Sequence, residues 1–257
     1  MKCHKLFIFC IALFFVYSFH ISAQQSHYPQ NSTEWLVDMF FNQPRFPEKE
    51  NYYSGEMLQD VNYPTIGEEL NSNDSISFRK IAANNQSEVY SVLVKDNVHS
   101  SSFYCYLLKV SGEWKIDAIR KFQLPAFIYN VADSIAKIDN VSDSVSTLQT
   151  MIKLMISSDE ELKSYLSNNI NSFSALINEF ESDESKRLES IMNKCGVESI
   201  FYDDFYPECI FILVGRLDRF EIGYIYSLKK SSLPSITPKR FIYIEEVLPK
   251  WFVYRAM

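Results

Sequence analysis

The sequence predicts an α+β fold in which helices precede antiparallel strands twice along the chain. Apolar residues recur at helical spacing up to residue 70, and from Ser75 to Lys121 they recur at every second position. The same change of period follows again, with helices over 143–195 and a sheet over 197–255. Pro125 falls between the two sections. We therefore expect an N-terminal α+β domain over 31–125 and a C-terminal α+β domain over 126–257.

A hairpin at the centre of the first section sets its predicted register. Ser111 and Gly112 separate two apolar runs, which is typical of a two-residue turn between antiparallel strands. Pairing Val110 with Glu113 then gives each strand residue a cross-strand partner. One buried face should carry the following side chains, with Lys109 and Arg120 at its ends: Phe103, Cys105, Leu107, Trp114, Ile116 and Ala118.

The remaining elements follow from spacing and capping. Asn31 and Glu34 resemble a capping box at the first helix, Ser158 and Glu161 form another, and Gly196 is well placed to end the last helix. Alternation predicts nine strands: Ser75–Ala82, Glu88–Lys95, Ser102–Val110, Glu113–Lys121, Val197–Tyr202, Glu208–Val214, Phe220–Leu228, Arg240–Val247 and Trp251–Tyr254.

The first section resembles the nuclear-transport-factor-2-like superfamily, whose members have a cone-shaped α+β fold. The resemblance covers about residues 31–125: a helix with Trp35 and Phe40, short helical pieces with Tyr52 and Tyr53, and four strands closing on Gly112-Glu113-Trp114-Lys115-Ile116. It is closest to a functionally uncharacterised branch of exported bacterial proteins. The resemblance implies helices over the concave face of the sheet, and a cavity there that holds a ligand or is filled by side chains.

The N-terminus predicts export to the periplasm or the medium. Lys2 and Lys5 precede an apolar run, and the segment 1–23 ends on the small residue Ala23, which is the pattern of a secretory signal peptide. The alternative is an uncleaved N-terminal anchor. Removing residues 1–23 takes away two lysines and no acid, so the net charge of −7 becomes −7 − 2 = −9. An acidic protein without a basic cluster is a poor candidate for binding nucleic acid, and no later segment suits a membrane span.

Three cysteines remain in the mature chain. Cys105 lies on the predicted buried face and should act as a small apolar side chain. Cys195 and Cys209 either pair in a disulfide or both stay free and buried, and their spacing matches no metal motif.

Catalytic signals are sparse. The mature chain holds two histidines, His27 in a polar tail and His99 in a hairpin loop, which argues against a histidine-based triad or zinc site. The six glycines follow no phosphate-binding spacing, so we expect no nucleotide cofactor. We accordingly expect neither a cofactor, nor a metal, nor enzymatic activity.

Arg120 is the candidate ligand-binding residue, together with Phe103 and Trp114. In the predicted register it is the charge at the far end of the apolar face, where it could receive an anionic or carbonyl group. Alternatively its stem packs on Phe103 while its head reaches water. The preferred interpretation is an exported, non-enzymatic protein that binds a small ligand or a protein partner. The alternatives are a cofactor-free isomerase or hydrolase that uses the N-terminal cavity, and an interaction or immunity-type protein with an acidic binding surface.

Overall fold

The computed structural model describes residues 26–71, 73–95, 100–138, 142–182 and 185–257. Within these ranges the chain forms seven α-helices, three short 3₁₀ helices and nine strands, so the α+β class is confirmed. The predicted signal segment 1–23 and His99 lie outside the described residues.

The first sheet is an antiparallel meander in the order β1-β2-β3-β4. Its strands are β1 (Ser75–Ala83), β2 (Ser87–Lys95), β3 (Ser100–Val110) and β4 (Glu113–Lys121). The helical elements before it are α1 (Thr33–Phe41), the 3₁₀ helices Lys49–Tyr52 and Gly55–Gln59, and α2 (Ile66–Glu69). All four predicted strands are confirmed to within two residues.

The N-cap of α1 differs from the prediction. Asn31 has a left-handed backbone with φ of 66°, and the extended residue Ser32 is the cap. The Ser32 hydroxyl accepts a hydrogen bond from the Trp35 amide at 3.1 Å. Asn31 as the cap is therefore wrong by one residue, because the turn before the helix presents the next side chain to the free amides.

One face of the first sheet is covered by α1 and the 3₁₀ helices. The buried residues between them form what we call the N-terminal cluster: Leu36, Val37, Phe40, Phe41, Phe46, Tyr53, Met57, Tyr90, Val92, Phe103, Cys105, Leu107 and Ile116. Aromatic rings contact each other across it, as between Phe41 and Phe103, whose centroids lie 5.7 Å apart.

The second section contains five helices and a five-stranded antiparallel sheet. Its helices are α3 (Ala126–Ile135), α4 (Asp143–Ile156), α5 (Asp159–Asn168), α6 (Ile170–Ser182) and α7 (Ser185–Cys195). Its strands are β5 (Ser199–Asp203), β6 (Tyr206–Leu217), β7 (Phe220–Ser227), β8 (Phe241–Leu248) and β9 (Trp251–Ala256), in the order β5-β6-β7-β9-β8. The third 3₁₀ helix is Lys230–Ser232. The Ser158–Glu161 capping box and the Gly196 helix end, where φ is 63°, are both confirmed.

The two sections meet in one core. Val89, Tyr104, Tyr106 and Ala118, on the second face of the first sheet, belong to the same buried cluster as residues of α4–α7 and of β6–β9. We call this cluster the shared core. The Tyr106 hydroxyl crosses it and donates to the carbonyl oxygen of Ile242 in β8 at 2.7 Å. A third buried cluster, on the opposite face of the second sheet, includes Phe211, Phe241 and Tyr254.

A β-bulge changes the predicted register of the central hairpin. Pairing runs as expected from Val110–Glu113 to Leu107–Ile116, but Tyr106 then pairs with Ala118. Asp117 is thus an extra residue in β4, and every later side chain of that strand is shifted to the other face. Ala118 consequently lies in the shared core rather than beside Cys105, and the predicted position of Ala118 is wrong.

The three cysteines among the described residues, Cys105, Cys195 and Cys209, are free and buried. Cys105 lies in the N-terminal cluster, and burial raises the pKa of its thiol, as expected for a structural cysteine. Cys195 belongs to the shared core, whereas Cys209 lies in the cluster on the opposite face of the second sheet. Of the two alternatives, the structure has the free and buried one.

Candidate functional site

The second face of the first sheet is divided into an apolar end and a polar end. Cross-strand pairing places Ala82, Val89, Tyr106 and Ala118 in one row, which packs into the shared core. Toward the other end, three rows follow: Arg79–Ser91–Tyr104–Arg120, then Ser77–Leu93–Ser102, and then Ser75–Lys95–Ser100. Because serine side chains are short, the two outer rows leave space where larger residues would have packed against α5.

That space is a cleft of about 430 Å³ between the first sheet and the N-terminus of α5. We call it the serine cleft. Its lining residues are five serines, five charged residues and two apolar residues: Ser77, Phe78, Arg79, Ser91, Leu93, Lys95, Ser100, Ser102, Ser158, Asp159, Glu160 and Glu161. Its volume falls in the range of small-molecule binding sites.

A buried ion pair separates the cleft from the shared core. Asp159 is 5% exposed and Arg255, in β9, is 3% exposed. The Arg255 Nε donates to the Asp159 carboxylate at 2.7 Å, and the Tyr104 hydroxyl lies 3.0 Å from both carboxylate oxygens. Arg255 also donates from Nη2 to the Ser157 carbonyl oxygen at 2.6 Å. Asp159 therefore fixes the start of α5 against both sheets.

The pKa values of these groups follow from burial and from the charge of Asp159. Burial raises the pKa of Tyr104 well above its ordinary range, and the nearby Asp159 carboxylate raises it further. Burial alone would lower the pKa of Arg255, but the charge of Asp159 outweighs it, and the net shift is upward. Both groups thus stay protonated over the physiological range, and neither is available as a base.

A second group of charges closes the side of the cleft next to β8. Arg79 donates to both carboxylate oxygens of Glu245, through Nη1 at 2.5 Å and through Nη2. Lys163 of α5 lies 2.6 Å from Glu160 and 3.3 Å from Glu245. The Tyr243 hydroxyl donates to Glu245 at 2.5 Å. Although burial would raise the pKa of Glu245, the hydrogen bond from Arg79 contributes to a net lowering. This network joins β1, α5 and β8.

Arg120 is not on the face that the sequence predicted. After the bulge at Asp117 it pairs with Tyr104, so the expectation that it shares a face with Phe103 and Trp114 is wrong. Its Nε donates to the Pro238 carbonyl oxygen at 2.7 Å, and its Nη2 donates to Glu56 at 2.5 Å. These acceptors belong to the loop before β8 and to the second 3₁₀ helix. The guanidinium therefore connects three segments of the protein.

Phe103 and Trp114 both face the N-terminal cluster. Phe103 is 8% exposed and contacts Phe41, and Trp114 packs against the same cluster while Lys109 lies over its ring. The structure does not bring either residue together with Arg120. The three candidates are distributed over two faces of the sheet.

The serine cleft was missed although its signal is present in the sequence. Serines occupy alternate positions in β1, at Ser75 and Ser77, and in β3, at Ser100 and Ser102, and Ser91 shares their face from β2. Small polar residues on one face of three adjacent strands indicate a polar opening rather than a packed surface. Only the partner across the cleft, the N-terminus of α5, could not have been read from this pattern.

Among the described residues, no three His, Cys, Asp or Glu side chains come together as a metal site would require. The described helices also include none that is long and apolar enough to cross a membrane. Comparison of the sequence with models of protein families and with curated proteins finds no match.

Proposed function

We propose that the chain is an exported, non-enzymatic binding protein that holds a small polar ligand in the serine cleft. The observation that carries this proposal is the polar end of the sheet face, where serines of three adjacent strands face the N-terminus of α5 across about 430 Å³. The walls are regular elements, and the Tyr104 hydroxyl of β3 joins them by donating to the Asp159 carboxylate at 3.0 Å. Rigid walls lower the ordering cost of binding.

The cone-like fold is part of the proposal. The order of α1, the short helical pieces and β1–β4 supports a relation to the nuclear-transport-factor-2-like superfamily. In this chain the buried N-terminal cluster occupies the face under the helices. We therefore place the ligand on the opposite face of the sheet, and we assign no cofactor.

Blocking the cleft tests the binding function. The double variant Ser77→Ile/Ser102→Ile adds β-branched apolar side chains that suit a strand and occupy the space. A library of small polar compounds is screened by thermal unfolding. At a hundred times its Kd, a ligand should raise the Tm of the wild-type protein by roughly 5–10 °C, and the double variant should show no such shift.

Ser174→Ile, on the exposed side of α6, is the control and should respond like the wild type. The proposal fails if no compound distinguishes the wild type from the blocked variant.

Export is tested separately. The full chain is expressed in a bacterial host, and the mass of the exported protein is measured. Cleavage after Ala23 should leave Gln24 as the first residue. A protein that keeps residues 1–23 and stays with the membrane fraction would instead support the uncleaved anchor.

A further inference from the structure

We propose that the ligand of the serine cleft is neutral and rich in hydroxyl groups, as a mono- or disaccharide is. This inference rests on the binding function proposed above and names the class of ligand. It follows from three properties of the cleft: the chemistry of its hydroxyl groups, the pairing of its charges and the small size of its apolar surface.

The hydroxyl groups of the walls suit a partner that both donates and accepts. Each serine hydroxyl offers one donor and two acceptor positions and rotates to serve either role. Five serines line the cleft: Ser77, Ser91, Ser100, Ser102 and Ser158. The Ser158 hydroxyl is engaged with Glu161 in the helix cap, and the Ser91 hydroxyl donates to Asp159 at 3.5 Å, so we assign Ser77, Ser100 and Ser102 to the ligand. A ligand hydroxyl has the same dual capacity, so a saccharide can form hydrogen bonds with such a wall in several orientations.

The charges of the walls are largely paired with each other. Asp159 is neutralised by Arg255 at 2.7 Å, Arg79 by Glu245 at 2.5 Å, and Glu160 by Lys163 at 2.6 Å. A charged ligand would have to compete with these pairs for a partner. Two lining charges, Glu161 and Lys95, are not part of these three pairs.

Glu161 accepts from the Ser158 amide at 2.7 Å and is held as a helix cap. Lys95 stands in the outer row and is exposed, so water and salt screen its charge. The walls consequently favour a ligand without net charge.

The apolar surface is too small for a lipid-like ligand. Leu93 lies at the centre of the middle row, between Ser77 and Ser102. The ring of Phe78 packs instead against Tyr28 and Tyr90, with centroids 5.5 Å and 6.0 Å apart. One leucine side chain can contact the carbon skeleton of a sugar, but it cannot bury an acyl chain.

The test measures binding of neutral and charged probes by calorimetry. The neutral probes are glucose, galactose, N-acetylglucosamine, maltose and lactose, and the charged probes are glucuronate, glucosamine and glutamate. At least one neutral saccharide should bind more tightly than any charged probe. The variant Ser77→Ala/Ser102→Ala keeps the space but removes two hydroxyls, and it should weaken that binding by roughly fivefold per hydroxyl. Ser174→Ala should leave it unchanged.

The outcomes separate the ligand class from the binding function. If a charged probe or another polar compound binds best, and binding is lost in Ser77→Ile/Ser102→Ile, the neutral-saccharide inference is overturned while the binding function stands. Saccharide binding that the alanine variant does not weaken overturns the inference as well. If no compound of either set responds to blocking the cleft, both proposals are overturned.

Discussion

At the scale of single residues, Asp159 connects three elements of the molecule: α5, the first sheet and the second sheet. Its carboxylate accepts from Arg255 of β9 and from Tyr104 of β3, and it occupies the first position of α5. A buried charge pair is costly to form and more costly to break, because removal of one partner leaves the other charged and unpaired. Asp159 thus fixes the geometry of the cleft rather than supplying free charge to it.

Replacing Asp159 should therefore be strongly destabilising. Asp159→Asn leaves Arg255 unpaired in the interior, and the free energy of unfolding in urea should fall by about 3–5 kcal/mol. Glu160→Gln, at the neighbouring exposed position, should cost less than about 1 kcal/mol. The double variant Asp159→Asn/Arg255→Met should recover much of the loss. A loss below about 1 kcal/mol for Asp159→Asn would contradict this role.

The position of Arg120 could not be predicted from the alternation of apolar residues, because it depends on a β-bulge. Alternation correctly placed Phe103, Cys105, Leu107, Trp114 and Ile116 on one face, because the hairpin turn fixes the register beside it. The bulge at Asp117 breaks the alternation further along. At the bulge, β4 packs against Ser54, which lies 63 residues earlier in the chain, and against Gly55. A contact so distant in sequence leaves no local pattern.

At the scale of elements, that contact depends on a glycine. Gly55 has φ of 50°, and a Cβ atom at this position would lie 2.2 Å from the Asp117 Oδ1. The Ser54 amide donates to the Ile116 carbonyl oxygen at 2.9 Å in the same place. A side chain at residue 55 would therefore have to displace the Asp117 carboxylate.

Gly55→Ala should lower the free energy of unfolding by about 2–3 kcal/mol, of which about 1 kcal/mol is the left-handed backbone. Gly112→Ala is the matched control, since its φ is also positive but nothing lies within 4 Å, and it should cost only the backbone part. Adding Asp117→Ala should bring Gly55→Ala close to that control. Equal losses for the two glycines would show that the contact with Asp117 does not matter.

The attachment of α1 to the sheet should depend on pH. Burial alone would raise the pKa of Glu34, but its backbone amide, the Tyr90 hydroxyl at 2.8 Å and Lys80 lower it from 4.5 to about 2. A lowered pKa stabilises the fold fully above about pH 5, and this contribution is lost as the pH falls from about 4.5 to about 2. Because Glu34 is 36% exposed, solvent screening limits its contribution to the free energy of unfolding to about 1 kcal/mol or less.

The measurement compares the wild type with Glu34→Gln in urea between pH 7 and pH 2.5. The difference in unfolding free energy should shrink toward zero as the pH falls. Ile76→Val, which removes one methylene and no ionisable group, should keep a constant difference. If the difference in unfolding free energy between the wild type and Glu34→Gln stayed constant or grew in acid, the stabilising role of the ionised Glu34 would be contradicted.

Element prediction from sequence succeeded where the pattern is local. All nine strands and both predicted capping features of the second section are confirmed, since alternation and capping depend on neighbouring residues. The candidate site was not found, because alternation defines two faces without saying what covers each of them. These serines line a cleft only because α5, which begins 49 residues after the end of β3 (159 − 110), lies opposite them.

At the scale of the whole molecule, the shared core joins the two sections. Val89, Tyr104, Tyr106 and Ala118 share one buried cluster with residues of the second section's helices and sheet. The cluster consists of apolar and aromatic side chains, unlike the more polar contacts across which domains usually move. The wall of the serine cleft is the polar border of the same interface. Separating the sections would therefore open the cleft and expose the core together.

The two sections should accordingly unfold in one transition. Trp35 and Trp114 pack against the N-terminal cluster, and Trp251 belongs to the shared core, so fluorescence can follow each section separately. In Trp251→Phe the signal reports the first section, and in Trp35→Phe/Trp114→Phe it reports the second. Within each variant, the urea midpoint from fluorescence should coincide with that from far-UV circular dichroism.

A substitution that weakens the shared core should then destabilise both sections equally. Tyr106→Ala removes a buried ring and its hydrogen bond to Ile242, and it should cost about 3–5 kcal/mol. Introduced into the two tryptophan variants, it should lower both fluorescence midpoints by the same amount. If Tyr106→Ala lowered the fluorescence midpoint only in Trp251→Phe, where Trp35 and Trp114 report, the sections would fold independently. A fluorescence midpoint at lower urea than the circular dichroism midpoint would show the same. The cleft would then be a gap between two mobile bodies, which could not hold the fixed hydroxyl geometry that ligand binding requires.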